Sequence, residues 1–473
     1  MTMLTLALLR ASLPSYFPDH HGVWDRAEAM LATLCAAEDV RLVILPGIPQ
    51  DGAQTQVALN HAASEAADFV LCLHGGFTMG DVARTIAASP FRCGFWSVPE
   101  PVRTGDVQLN NFVSLNMSLS IARGVRDLRA RPVQWYHGAP GDKALTTRLT
   151  HTLRALKAAK ALQGARVGVI GGLAMTFYNM EVSTNALRSR LGVEVAHHDI
   201  HELTGRMAAQ DAGRVTSEVQ KITAAAPVRG VSDAQMRLTA ACALSLRDMA
   251  AGYAALAVSD WPALQADPGM HPGAAFSWLE TADNLPVASE GDVLGAVSQI
   301  AALSLSGKTG ALLDLTEPDF EADRLLVWHG GGGPLHLANG DAAWINHPMI
   351  GRADPTGPRF GTIADYTFAP GPVTLFRIDR DGAALFSMTG TIVPQNPSGF
   401  DGCRGWLADM AIDGTASSVQ DVTATVMAHG LAHHFVLIPC VHVAALTEFA
   451  SWTGMAPLPR RPCRDHLDAR DFT

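Results

Sequence analysis

The spacing of apolar and polar positions changes character in the last third of the chain. The first third alternates short apolar runs with stretches of helical spacing. Leu4–Leu9 reads as a strand, Trp24–Glu38 as an amphipathic helix, Val40–Leu45 as a strand, Ala53–Ala66 as a helix and Phe69–Leu73 as a strand. Strands alternating with helices predict a doubly wound parallel sheet, in which function gathers in the loops after the strands. His74-Gly75-Gly76 and the segment from Trp96 to Pro101 fall at such strand ends, where turn chemistry explains them equally well.

A long helix over Thr146–Leu162 runs to Gln163-Gly164, and glycine there is a C-cap signal. The strand Arg166–Ile170, a turn at Gly171-Gly172, a helix ending near Leu191-Gly192 and the strand Val193–Ala196 begin a second α/β unit. The Gly171-Gly172 turn lacks the GxGxxG spacing of a dinucleotide site. From Leu325 onward short strand-like runs such as Val373–Ile378, Ala384–Thr389 and Phe435–Ile438 alternate with Gly, Pro and Asp turns. They predict a smaller antiparallel or barrel-like unit. The expected architecture is therefore α/β: two doubly wound parallel-sheet domains over 1–164 and 165–324, then a β-rich, barrel-like domain over 325–473.

Composition narrows the function. In 473 residues, 48% are hydrophobic and only 17% charged, which fits folded domains and some surface buried in an oligomer. The net charge of −10 offers no basic footprint for nucleic acid. Arg123, Arg126, Arg129 and Arg131, interrupted by Asp127, read as a solvated helix end. Seven scattered cysteines without a CxxC argue against a disulfide framework or zinc ribbon and suit a reducing compartment. The apolar start is too short for a secretory leader and no run reaches a membrane span, so a cytoplasmic protein is expected.

Four segments carry candidate chemistry. Glu290 and Asp292 open the helix Val293–Leu305, where Ser289 or Asp292 serves as cap and Glu290 complements the helix dipole if no site is present. Asp314 ends an apolar strand, as an active-site acid or a turn initiator. His433 and His434 are adjacent on a strand and would point to opposite faces, one toward a site or both structural. His329 leads into Gly330-Gly331-Gly332-Gly333, which permits close approach to a ligand or forms a hinge. Acids at strand ends plus an imidazole suit aldose–ketose isomerisation. That reaction needs a base, an acid and a divalent cation to stabilise an enediolate.

Together these segments resemble the L-fucose isomerase family and its L-arabinose isomerase-like relatives. The resemblance is spread over most of the chain and is strongest from Arg166 to Gly454. It rests on Glu290-Gly291-Asp292-Val293, Asp314 two dozen residues later, Trp328-His329-Gly330, the strand Gly371–Arg377 with the pattern G-x-V-T-L-x-R, and His433-His434 followed by a helix through Leu446 and Trp452. The resemblance implies three domains with a site between the second and third. It implies a divalent metal on Glu290, Asp314 and His434, usually Mn²⁺, with Mg²⁺ or Co²⁺ as substitutes, and Glu290 and Asp314 as the acid/base pair of a cis-enediol mechanism. It further implies a pentose, hexose or deoxy sugar as substrate and a homo-oligomer, trimer or hexamer, whose neighbouring subunit closes the site. His329, Trp96, Asn111, Met175 and Phe177 are the candidate sugar contacts. Three departures stand out: Cys440 replaces a glycine, Gly330-Gly331-Gly332 replaces a cysteine–glycine–asparagine, and the chain is shorter than the larger members. A metal-dependent sugar epimerase or lyase shares the same chemistry, and a sugar-binding protein without turnover is the non-enzymatic alternative.

Overall fold

The computed structural model describes residues 3–128, 130–349, 361–394 and 398–461; Arg129 and Cys463 lie outside them. The chain divides into two compact units, Met1–Lys160 and Ala161–Thr473.

The first unit is built on a sheet of order β2-β1-β3-β4-β5, parallel at every pairing. The strands are β1 (Leu4–Ala11), β2 (Val40–Ile44), β3 (Phe69–His74), β4 (Arg92–Ser97) and β5 (Val133–His137). β3 is buried at all six positions and apolar at the first five, the mark of a strand covered on both faces. Helices follow each strand, and the helix Gly52–Ser64 begins where the Asp51 carboxylate accepts the Gln54 N–H. The arginine cluster departs from the solvated-end reading at Arg126. That residue is buried and donates to Cys93 Sγ and the Phe91 carbonyl, whereas Arg123 is exposed.

The second unit joins a parallel sheet to a β-rich one. The parallel sheet has the order β10-β9-β6-β7, with β6 (Arg166–Ile170), β7 (Glu194–His198), β9 (Ala255–Val258) and β10 (Val287–Ala288). A two-residue strand, β8 (Val228–Arg229), pairs instead with β13 (Ala343–Asn346) in the other sheet. The helix Thr184–Leu191 stops at Gly192, whose φ of 73° supplies the left-handed C-cap that the sequence signals.

The β-rich sheet comprises β11 (Ala311–Asp319), β12 (Arg324–His329), β13, β14 (Thr362–Thr367), β15 (Gly371–Asp379), β16 (Ala384–Val393), β17 (Cys403–Ile412), β18 (Thr415–Ala416), β19 (His434–Pro439) and β20 (Ala456–Pro457), with β8 at one edge. Among these, β16, β15, β19, β11, β12 and β17 pair antiparallel in that order, and β17 returns to β16. The result is a closed six-stranded barrel. Register shifts between Leu315 and Glu317 and between Thr389 and Thr391 give the bends that closure needs. The sequence reading of an α/β chain ending in a barrel-like unit holds.

One strand differs from expectation. Asp314 does not end a parallel strand: it is the fourth residue of β11, which runs antiparallel to both β12 and β19 and continues to Asp319. Leu312 and Leu313 are both buried, so the half-buried alternation of an antiparallel strand is missing and the run reads as parallel.

The helix Val293–Ser306 is apolar nearly all round and packs against β9 on one side and β15 and β19 on the other. One apolar cluster spans the parallel sheet and the barrel, taking in Leu256 and Val258 of β9, Leu313 of β11, Leu375 of β15 and Leu437 of β19. Among the described residues no helix is long and apolar enough to cross a membrane.

Candidate active site

Three elements converge at the N-terminal end of that helix. β10 ends at Ala288, and Ser289-Glu290-Gly291 form a tight turn before Asp292 caps the helix. β11 brings Asp314, and β19 begins at His434, directly opposite Asp314 in the register. Cross-strand neighbours lie about 5 Å apart at Cβ, so this pairing brings the two side chains together.

The geometry around His434 is specific. Its imidazole is fully buried, and Nδ1 lies 3.0 Å from Asp292 Oδ2. Arg377, near the end of β15, donates to both oxygens of Asp292 at 2.8 and 3.3 Å and to the His434 carbonyl at 3.0 Å. Burial alone would raise the Asp292 carboxyl, but the Arg377 guanidinium and the His434 hydrogen bond overcome it and hold the group well below the usual carboxylate range. An ionised Asp292 only accepts, so the His434 ring proton sits on Nδ1 and the Nε2 lone pair points away from it.

That lone pair faces two more carboxylates. Nε2 is 3.4 Å from Glu290 Oε2 and 3.7 Å from Asp314 Oδ1. Both His434 Nε2 and Asp314 Oδ1 are buried without a hydrogen-bond partner. A buried imidazole nitrogen and a buried carboxylate oxygen without hydrogen-bond partners lie close together, and two groups here, Glu290 with His329 and His434, and Asp314 with His433 and His434, have donor atoms near enough to share an ion. One imidazole and two carboxylate oxygens make a hard, oxygen-rich set with one borderline nitrogen, which suits Mn²⁺, Mg²⁺ or Co²⁺ better than a soft metal. The residues present therefore fit the metal that the resemblance implies. The Asp292–His434 pair is the outer hydrogen bond that normally orients a ligating histidine.

The titration behaviour agrees. Enclosure pushes the Asp314 carboxyl up to about 6, the Glu290 charge adds to this, and His434 and His433 offset part of it. For His434, burial lowers the pKa, but the Asp292 hydrogen bond and the surrounding carboxylates raise it above its ordinary value.

The second histidine is a departure from the strand reading. His433 precedes β19, so strand alternation does not govern it. Its ring lies 4.3 Å from that of His434, and its Nε2 is 3.1 Å from the same Glu290 Oε2. Asn179 Nδ2 lies 3.1 Å from the other ring nitrogen of His433.

His329 also belongs to the cluster, its ring 5.3 Å from that of His434. Its Nδ1 accepts the Gly331 N–H at 2.7 Å, so a neutral ring carries its proton on Nε2, toward Ser289 Oγ at 3.3 Å. Burial, and then the neighbouring imidazoles, hold its pKa well below the ordinary value and keep it neutral. The glycines after it are packed against the protein itself. A Cβ at Gly331 would lie 2.5 Å from the His329 ring, and one at Gly333 would lie 2.7 Å from Tyr366 Oη.

The other sequence candidates fall in different places. Phe177 lies edge-on to His433 and to Trp261, at 5.2 and 5.6 Å between centroids, whereas Met175 is 62% exposed. Trp96 and Asn111 belong to the first unit. Trp96 is fully buried in β4 and donates its indole N–H to the Gly138 carbonyl, and Asn111 is buried at the start of the helix Asn111–Val125. The sequence reading did not single out Asp260, His271 or the link from Asp292 to Arg377. An arginine within an apolar strand was the available signal, because a charge there demands a buried partner.

A doubly wound sheet and a barrel with two acids and an imidazole meeting between them have the makings of an enzyme that moves protons beside a carbonyl. The chain is similar to the sulfoquinovose isomerase of Priestia aryabhattai, with 26% identity over 353 residues, covering 72% of this chain and 74% of the relative. The likeness to the protein of the same name from Priestia megaterium (strain ATCC 12872 / QMB1551) has the same identity and extent. No family model matches the chain.

Proposed function

We propose that this protein is a divalent-metal-dependent aldose–ketose isomerase related to the L-fucose isomerase family, working through a cis-enediol and taking sulfoquinovose or a similar modified hexose. It is an enzyme, an intramolecular oxidoreductase that interconverts aldose and ketose sugars. The observation that carries the metal reading is the pair of unpartnered buried atoms, His434 Nε2 and Asp314 Oδ1, facing each other beside Glu290 Oε2.

Glu290 Oε2, Asp314 Oδ1 and His434 Nε2 would hold the cation. When bound, it supplies Lewis-acid stabilisation of the negative charge that develops on the sugar oxygens. The chain's own groups do the rest. In the aldose-to-ketose direction one carboxylate of the Glu290/Asp314 pair takes the C2 proton, and the electron pair shifts the double bond to C1–C2. The aldehyde oxygen gains a proton, O2 gives one up, and the first carboxylate returns its proton to C1. A carboxyl raised to about 6, as at Asp314, exchanges protons in either direction near neutrality. The neutral Nε2–H of His329 is a donor for a sugar oxygen, and the Phe177 ring beside His433 offers an apolar face for the carbon skeleton.

The test is metal-dependent exchange. Protein stripped with chelator and reloaded with Mn²⁺ is incubated in D₂O with sulfoquinovose, aldopentoses and deoxyhexoses, and deuterium at C1 and C2 is followed by NMR. Exchange that needs the metal and is lost in Asp314→Asn is the expected result. Exchange that is undiminished without metal would end the metal reading, and binding of sugars without any exchange would favour a sugar-binding protein.

A further inference from the structure

We infer that Asp260 is a positioning residue for this chemistry, holding the Glu290 peptide in the one conformation that turns its carboxylate toward His434; the inference rests on the metal-dependent reading of the site. Glu290 has φ 61° and ψ 12°, a left-handed conformation that its Cβ disfavours. Glutamate has no local side-chain bond that would favour this region, so the surroundings must impose it.

Two loops do so. The Glu290 N–H donates to Asp260 Oδ1 at 2.7 Å, and its carbonyl accepts the Ala174 N–H at 2.9 Å. Asp260 follows β9 and Ala174 follows β6, so the turn after the edge strand β10 is gripped by the loops after the next two strands of the parallel sheet. Gly291 is also left-handed, at φ 73°, and a Cβ there would lie 2.1 Å from the Gly172 carbonyl oxygen. The turn cannot slide toward that loop, and Asp260 offers the Glu290 N–H a carboxylate acceptor.

Asp260 is itself fixed. It is 2% exposed, and its Oδ2 lies 3.5 Å from Nε2 of the buried His271. His271 Nδ1 accepts the Gly273 N–H at 3.2 Å, so a neutral ring turns its Nε2–H to the carboxylate. The ring of His347 lies 4.4 Å from that of His271, and a Cβ on Gly330 would meet His347 Nε2 at 2.7 Å. A continuous packed chain thus joins the Glu290 turn to the loop that follows His329. Asp260 meets Glu290 at its backbone N–H, so its hold on the carboxylate runs through the peptide.

The experiment compares wild type, Asp260→Ala, Asp260→Asn, Glu290→Gln and the double variant Asp260→Ala/Glu290→Gln, all stripped of metal. Mn²⁺ binding is measured by calorimetry, kcat and KM with the best sugar of the panel after reloading with Mn²⁺, and amide hydrogen exchange over residues 287–292. We expect Asp260→Ala to weaken Mn²⁺ about tenfold, to lower kcat more than it raises KM, and to speed exchange at the Glu290 amide. Asp260→Asn keeps an acceptor for that N–H and should recover most of the loss. In the Glu290→Gln background Asp260→Ala should cost little further affinity, because its effect runs through the Glu290 carboxylate. Equal losses in both backgrounds, or unchanged exchange at Glu290, would overturn the inference. If wild type itself binds no Mn²⁺, the proposed function fails, and the exchange data alone then decide the role of Asp260. Should Asp260→Ala not fold, Asp260→Ser, with a hydroxyl too short to reach the N–H, is read by the same outcomes.

Discussion

Replacing Asp292 by asparagine is the most informative single change, because the two side chains have the same shape and asparagine exchanges one charged acceptor oxygen for a neutral NH₂ donor. Asp292 receives four donors on two oxygens. Oδ1 takes the Gly295 N–H at 2.8 Å and Arg377 Nη2 at 3.3 Å, and Oδ2 takes Arg377 Nη1 at 2.8 Å and His434 Nδ1 at 3.0 Å. Asparagine is as good an N-cap as aspartate, so an amide oxygen kept at the Oδ1 position leaves the helix start intact. The NH₂ group must then confront two donors, and the Arg377 guanidinium, 1% exposed, loses its countercharge.

Breaking a buried ion pair in this way costs about 3–5 kcal/mol. Asp292 and Arg377 side chains are 0% and 1% exposed, so solvent screening gives little relief. His434 also loses the acceptor that keeps its proton on Nδ1. Its lone pair is no longer held toward Glu290 and Asp314, and Mn²⁺ affinity should fall about 10- to 100-fold. Urea unfolding of the stripped proteins measures the first effect and Mn²⁺ calorimetry the second. The double variant Asp292→Leu/Arg377→Met separates them: with both charges gone it should regain part of the stability but none of the metal affinity. An Asp292→Asn protein within about 1 kcal/mol of wild type and with unchanged Mn²⁺ binding would refute the reasoning.

Three further outcomes follow from the same structure. Mn²⁺ uptake should weaken as pH falls below about 6, because Asp314 must shed its proton to serve as a ligand; equal affinity at pH 7.5 and pH 5 would contradict this. Burial raises the Glu280 carboxyl from 4.5 to about 8, so the folded state holds a proton that the unfolded state has released between those values. Wild-type stability then falls as pH rises through that window, and the stability of Glu280→Gln relative to wild type should climb from pH 5 to pH 8 in thermal melts, whereas a constant difference would speak against it. Gly291→Ala puts a Cβ 2.1 Å from the Gly172 carbonyl at φ 73° and should cost more than about 2 kcal/mol in urea, with the Glu290 turn displaced; a wild-type unfolding midpoint would show that the turn yields freely.

What the sequence reveals here depends on how local the cause is. The continuous apolar run of β3 and the glycine after Leu191 act within one element, and both are readable from the chain. The direction of β11 is not, because Leu312 and Leu313 are both buried and the strand they pair with, β19, lies far along the chain. The site divides in the same way. Glu290, Asp314 and His434 stand out because acids and imidazoles are costly in apolar surroundings, and the structure brings both carboxylates within 4 Å of His434 Nε2. Their orientation is invisible from the chain. It depends on a carboxylate that reads as an ordinary helix cap, on Arg377 85 residues away from it, and on the Asp260 side chain 30 residues before the peptide it accepts. The helix-cap reading of Asp292 was right as far as it went, since Oδ1 does cap the helix. What it missed is that the other oxygen faces His434, and only the barrel, by setting β15 beside β19, brings arginine and histidine to the same acid. The residue types thus mark where proton chemistry can occur, while their aim is a property of the closed sheet and the turn gripped beside it.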